Sequence, residues 1–268
     1  NALVVGIASN NFRNQGLQFT ARYTLSVAKD NLSSTFSDSN ANASLGLLDP
    51  FDPKLDYGYA DFDSRHRFVT SFNYEIPFFK NADSSLVRNV LGGFSLTGIF
   101  NARTGNPFTV FDCTTASSGA CPRYVPASGT VTSSSGNLAS VGANSFNYLQ
   151  LPAANPFVNP LTGTGVVGPF PAEMSKRNAF RGPGYWNADL GLYKRIKFNE
   201  TYSMQLRLEA FNVFNHANLF IVPGSLDVSG FTDAAGNPTP SFIPAQRGVF
   251  TSGNLERRNV QLAVKFIF

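Results

Sequence analysis

The sequence predicts an all-β chain whose seven long antiparallel strands form part of the wall of a transmembrane β-barrel. Three observations predict it. Apolar and polar side chains alternate at period two along much of the chain, and helical periodicity is scarce. Most alternating segments run about 10–14 residues, against a usual strand mode of about 5–6, and match the roughly 9–11 residues that cross a bilayer on a tilt. The connections between them are short and long in strict alternation.

Composition agrees. Charged residues are 14% of the 268, and the 26 phenylalanines outnumber Lys and Arg together, at 21. A typical soluble domain carries about 25% charge. No stretch approaches the roughly 18 apolar residues of a membrane helix. The net charge of +4 is dispersed without a Lys/Arg block, so no nucleic-acid footprint is present. The chain opens on Asn1 without a leader pattern and is expected to be a mature product or a fragment.

The elements follow in order. A weaker strand covers Ala2 to Ser9. In the second, Leu17, Phe19, Ala21, Tyr23 and Leu25 alternate with Gln18, Thr20, Arg22, Thr24 and Ser26. In the third, Phe68, Thr70, Phe72, Tyr74, Ile76 and Phe78 oppose Arg67, Val69, Ser71, Asn73 and Glu75. In the fourth, Phe94, Leu96, Gly98, Phe100 and Ala102 oppose Ser95, Thr97, Ile99, Asn101 and Arg103. In the fifth, Trp186, Ala188, Leu190, Leu192 and Ile196 oppose Asn187, Asp189, Gly191, Tyr193 and Arg195. The sixth, Tyr202 to Ala210, is the clearest, with Ser203, Gln205, Arg207 and Glu209 on its polar face. In the last, Val260, Leu262, Val264, Phe266 and Phe268 alternate with Asn259, Gln261, Ala263, Lys265 and Ile267.

The connections are Asn10–Gln15, Val27–Arg65, Phe79–Val90, Gly105–Pro183, Asn199–Thr201 and Ala217–Leu255. Consecutive antiparallel strands put alternate connections at opposite ends. All short turns therefore lie at one end, and the long loops 27–65, 105–183 and 217–255 at the other. Outer-membrane barrels segregate periplasmic turns from extracellular loops in this way. Aromatics fall near both strand ends: Tyr74, Phe78, Phe198, Tyr202, Phe266 and Phe268 at one, Phe68, Phe100, Tyr185, Trp186, Phe211 and Phe214 at the other.

The polar-face charges Arg22, Arg67, Glu75, Arg103, Asp189, Arg195, Arg207, Glu209 and Lys265 are expected to face the lumen, where cross-strand pairs are worth roughly 0.2–1 kcal/mol. On the lipid side an Arg or Lys at the midplane would cost about 2–4 kcal/mol. Lys194 sits on the apolar register and is expected either to snorkel from a strand end or to mark a bulge.

No catalytic constellation, cofactor motif or metal-ligand spacing stands out, so no enzymatic role is expected. His66 and His216 are read as rim polarity, since a metal site needs three or four convergent ligands. Gly163-Thr164-Gly165 lies in a loop and lacks the strand–helix context of a phosphate loop. Asp49, Asp52, Asp56, Asp61 and Asp63 make the first long loop acidic; a solvated loop is expected, with Ca²⁺ as the alternative. Cys113 and Cys121 share the longest loop, where an oxidising compartment permits a disulfide; two free thiols are the alternative. Tyr124, Phe146, Tyr148 and Phe157 are loop aromatics that could contact a ligand.

Several segments carry a resemblance: Asp63-Ser64-Arg65-His66-Arg67-Phe68, the run Leu91 to Phe100, Thr104-Gly105-Asn106-Pro107-Phe108-Thr109, Trp186 to Lys194, and Leu206 to Asn215. In this order, with the terminal Phe, the chain resembles the C-terminal barrel portion of Oar-like TonB-dependent outer-membrane receptors. The resemblance implies a barrel of about 22 strands with a plugged lumen, an N-terminal segment that meets the TonB system, and an extracellular substrate. It implies residence in the bacterial outer membrane, with the wall against lipid. Leu262, Val264, Phe266 and Phe268 look like the signal read by the barrel-assembly machinery, or are simply an amphipathic last strand. Two other functions fit less of the pattern: a passive pore or adhesin on a similar barrel, and a secreted β module that binds polysaccharide.

Overall fold

The structure, a computed structural model, describes residues 1–33, 48–49, 51–79, 81–113, 121–126, 132–133, 139–155, 170–222, 225–248 and 257–268. Its largest element is a seven-stranded antiparallel sheet. The strands are β1 (Ala2–Phe12), β2 (Leu17–Ser26), β3 (His66–Glu75), β4 (Phe94–Arg103), β5 (Tyr185–Lys197), β6 (Ser203–Phe211) and β7 (Asn259–Ile267). Each pairs with its sequence neighbours, so the order is a simple meander. The sheet is open, and its edge strands β1 and β7 run in the same direction.

Register sorts the side chains. One row across the sheet reads Phe19, Phe72, Gly98, Leu190, Ala210 and Val260. The adjacent row, on the opposite face, reads Gln18, Asn73, Thr97, Gly191, Glu209 and Gln261. Side chains alternate faces along each strand, so the sheet has one apolar and one polar face. Gly98 is a packing necessity, because a Cβ there would lie 2.4 Å from the Phe72 ring. Tyr185 and Phe211, named above with the rim aromatics, lie on the polar face by register.

Two boundaries differ from expectation. β1 continues to Phe12 through a register shift after Ser9. β3 stops at Glu75, not Phe78: Ile76 N–H still donates to Phe94 O, but Pro77 has no N–H with which to continue the ladder. The β1–β2 turn is tight, with Arg13 (φ 52°) and Asn14 (φ 57°) both left-handed, as favoured hairpin turns require. The second short connection holds a helix, α1 (Ser85–Leu91), started by Ser84 Oγ accepting from Val87 N–H at 3.5 Å. At seven residues it spans under two turns of about 3.6 residues, too few for a periodic signal.

The long loops carry folded structure of their own. Strands Leu219–Ile221, Ser241–Arg247, Ser145–Leu151, Thr132–Ser133 and Ser140–Gly142 build a second sheet drawn from the second and third long loops. Under it lies the main hydrophobic cluster of the described residues: Phe108, Val110, Tyr124, Leu149, Leu151, Ala154, Leu226, Val228 and Ile243. The wall contributes none of these residues. A lipid-facing wall leaves its apolar side chains for the solvent it sits in, whereas a cap in water must bury its own.

The two faces respond differently to charge. Leu192→Arg, on the apolar face near mid-strand, is expected to destabilise the bilayer-inserted protein by about 2–4 kcal/mol. Asn73→Arg, on the polar face at similar depth, is expected to cost under about 1 kcal/mol. Denaturant unfolding in lipid vesicles reads both.

Candidate functional site

The site is built where the three long loops meet above the wall. The first contributes carboxylates. Asp30 lies on the two-residue strand Lys29–Asp30, paired with Gly58–Tyr59. Asp56 ends a short 3₁₀ turn, Pro53–Asp56. The second loop contributes guanidiniums, and the groups meet in pairs. Arg123 Nη1 lies 2.8 Å from Asp56 Oδ1, with both side chains buried. Arg177 bridges Asp30 at 2.6 Å and Asp61 at 3.1 Å. Arg181 pairs with the fully buried Asp63.

Hydrogen bonds complete the clasp. Arg123 also donates to Leu55 O at 2.6 Å and Ser175 O at 2.8 Å. Asp56 accepts from Leu48 N–H at 2.6 Å. Asn178, at 0% exposure, donates to Tyr59 O and Asp61 Oδ1 and accepts from Thr109 Oγ1. Burial pushes the Arg123 guanidinium below its ordinary value, and Asp56 opposes that shift. The arrangement is a fixed buried network that locks the first loop onto the second.

The expectation of a solvated acidic loop is therefore corrected. Asp56 and Asp63 are buried and Asp61 half-buried, because arginines distant in sequence supply the partners that burial demands. Asp52 remains exposed and caps the 3₁₀ turn through Lys54 N–H. No group of three ligating side chains able to hold a metal occurs among the described residues.

The third loop is joined by chemistry of two kinds. Cys113 N–H donates to Asp227 Oδ1 of the third loop at 3.1 Å, from a turn that the Cys113–Cys121 disulfide closes within the second loop. Such a short closed loop gains about 2–3 kcal/mol in the chain-entropy picture. Leu226, Val228 and Ile243 enter the shared core.

The loop aromatics divide. Tyr124 is 0% exposed and donates to Pro152 O at 2.8 Å; burial pushes its phenol up to about 12. Tyr148 packs against the core and donates to Arg181 O at 3.0 Å. Both hold the cap together; Tyr124 is withdrawn from any ligand, and Tyr148 is half-buried. Phe146 faces a groove, under the Arg247 guanidinium at 4.7 Å. Phe157 and Gly163-Thr164-Gly165 lie outside the described residues.

That groove, about 1,520 Å³, runs between the cap and the top of the apolar face. Its floor is a chain of rings: Phe68 to Phe100 at 6.2 Å, Phe100 to Trp186 at 6.2 Å, and Trp186 to Phe214 at 5.9 Å. His216 stacks on Trp186 at 4.1 Å, and His66 Nδ1 lies 2.6 Å from Tyr23 Oη. Both histidines are thus absorbed into the rim.

Arg22, Arg67, Glu75, Arg103, Asp189, Arg195, Arg207, Glu209 and Lys265 all fall on the polar face by register. Four of them meet neutral partners. Glu209 accepts from Tyr193 Oη at 2.8 Å, Arg207 donates to Gln205, Asp189 accepts from Asn187 and Asn212, and Arg103 donates to Asn106. A smaller cavity of about 450 Å³ lies along this sheet, lined in part by Gln18, Asn73, Thr97, Asp189, Tyr193 and Glu209.

Lys194 follows neither expected alternative in full. The β5 register is unbroken from Leu190 to Lys197, so there is no bulge. Its ammonium donates to Val90 O at 3.1 Å and to Gly92 O, over the Phe94 ring. The last carbonyls of α1 thus replace water around the charge.

A two-faced wall of bilayer-length strands, with short turns at one end and a folded loop cap at the other, defines a membrane-spanning β-barrel protein. The model of the outer membrane beta barrel domain family matches residues 1–261, and the chain belongs to that family. The protein accordingly resides in the bacterial outer membrane. No characterised protein and no solved structure matches the chain at a significant level.

Asp56→Ala strands a buried guanidinium and is expected to cost the cap about 3–5 kcal/mol, read as faster proteolysis of the long loops on intact membranes. Pairing Asp56→Leu with Arg123→Met is expected to recover most of that loss. The Tyr124 phenol, raised from 10 to about 12, favours the fold most below pH 10, and this contribution is lost as pH climbs through 12. Absorbance at 295 nm is expected to show a late-titrating phenolate that Tyr124→Phe removes.

Proposed function

We propose that the chain forms barrel wall and extracellular loops of an Oar-like, TonB-dependent outer-membrane receptor that binds and imports an unidentified substrate. The observation that carries the reading is the cap. The second and third long loops share one core, and buried ion pairs lock the first onto the second, so together they present a fixed outer surface of the kind a receptor needs. Below it, the band of amides and hydroxyls on the polar face offers a wettable path.

The sheet edges support a larger barrel. Exposed edge groups cannot remain in hydrocarbon. Joining β1 to β7 would make a parallel seam, since they run the same way; antiparallel closure takes an odd number of further strands. In this reading the protein has no catalytic role, its loops meet substrate outside the cell, and its TonB contact lies in a part of the receptor beyond these strands. Leu262, Val264 and Phe266 alternate on the exposed apolar face of β7 and exposed Phe268 follows it, which suits recognition by the barrel-assembly machinery.

A passive pore or adhesin is the second reading, and the same wall would serve it. The complete protein in planar bilayers is expected to be electrically silent and to open reversibly when urea unfolds a plug. A purified TonB C-terminal domain is expected to retain the detergent-solubilised protein. Stable channels without urea, together with no TonB retention, would establish the pore; silence under both conditions without retention would favour the adhesin.

A further inference from the structure

The short connection between β3 and β4 carries more apolar surface than a water-facing turn needs. Phe78 is 66% exposed, Phe79 52%, Leu86 71%, Val90 57% and Leu91 50%. Leu86 and Val90 are four apart on α1 and so share one helix face. The helix position is fixed by two links to β5. Asn89 Nδ2 donates to Lys197 O at 3.1 Å, and Lys194 Nζ holds Val90 O and Gly92 O.

The second link decides the side. Lys194 pairs in register with Phe94 and Leu206, on the apolar face. Its ammonium therefore reaches the helix from the lipid side of the wall. A cation on that register would otherwise be among the most costly residues of the strand. Bound to the helix C-terminus, it becomes a tether that draws α1 against the outside of the barrel rather than under its mouth.

We propose that α1, together with Phe78 and Phe79, is an interfacial anchor, lying in the headgroup–acyl boundary of the leaflet at the short-turn end. The occupant of its apolar face is lipid, because that face continues the lipid-facing wall through Phe94 and Lys194. Exposed Phe198, Tyr202 and Phe266 fall at the same end, where aromatic rings favour the headgroup level. Arg88, exposed on α1, suits the phosphates of the same layer. Short amphipathic helices seat themselves about 5–10 Å into that boundary. The inference needs only the barrel, and does not depend on the transport reading.

The test places nitroxide labels on the complete protein in phospholipid vesicles, through Leu86→Cys, Val90→Cys and, as a control, Asp83→Cys. The native cysteines are occupied by their disulfide. Collision with oxygen is expected to exceed collision with a water-soluble nickel chelate at positions 86 and 90, and the ratio is expected to invert at 83. Adding Lys194→Met is expected to shift the labels at 86 and 90 toward the nickel chelate while the barrel stays folded by heat-modifiable gel mobility. Nickel-dominated collision at 86 and 90 in the otherwise unaltered protein would overturn the proposal. So would shielding from both reagents, which would mean a protein surface covers the helix.

Discussion

The bilayer allows no unsatisfied backbone group and no unaccompanied charge in its hydrocarbon, and the structure is organised around that constraint. It forces strands long enough to cross and sorts each strand into an apolar and a polar face. It also explains the low charge of a chain with 26 phenylalanines. Gly98 beneath the Phe72 ring shows the same constraint locally, since a flat apolar row must pack side chain against backbone where two side chains will not fit.

Outside the hydrocarbon the rule reverses. Water drives apolar side chains together, so the long loops have the core that the wall lacks. Their polar network is specific rather than simply cohesive. Buried ion pairs give little net stability but strongly penalise the loss of one partner. Arg123, Arg177 and Arg181 therefore fix where the first loop sits more than they add to how firmly it sits there. The shared core and the Cys113 N–H bond to Asp227 bring the third loop into the same body. A surface held in this way is suited to recognition, while the amide-rich polar face is suited to passage.

Lys194 joins the two regimes. On the lipid register it is a violation, and the fold resolves it by folding a helix out of a turn and presenting its terminal carbonyls. The sequence marked the residue as anomalous, yet gave no sign of the remedy. α1 is too short for periodicity, and its link to β5 joins positions 104 and 102 residues apart. The acidic run of the first loop was equally visible and equally ambiguous, because carboxylates at Asp56, Asp61 and Asp63 suit water, calcium or arginine alike. Only the approach of residues 67 to 118 positions away settled the partner.

By itself the sequence determined the wall: seven strands, their faces and the segregation of long loops from short turns. Period two is a local property, and the bilayer imposes it on every spanning segment, so each strand can be read without its neighbours. The cap was decided by tertiary structure alone. Its strands are two to seven residues long, its core is gathered from two loops, and Tyr124 is buried and Tyr148 half-buried where a loop position implied exposure. Short irregular segments carry no period, and their burial depends on which distant chain comes to cover them.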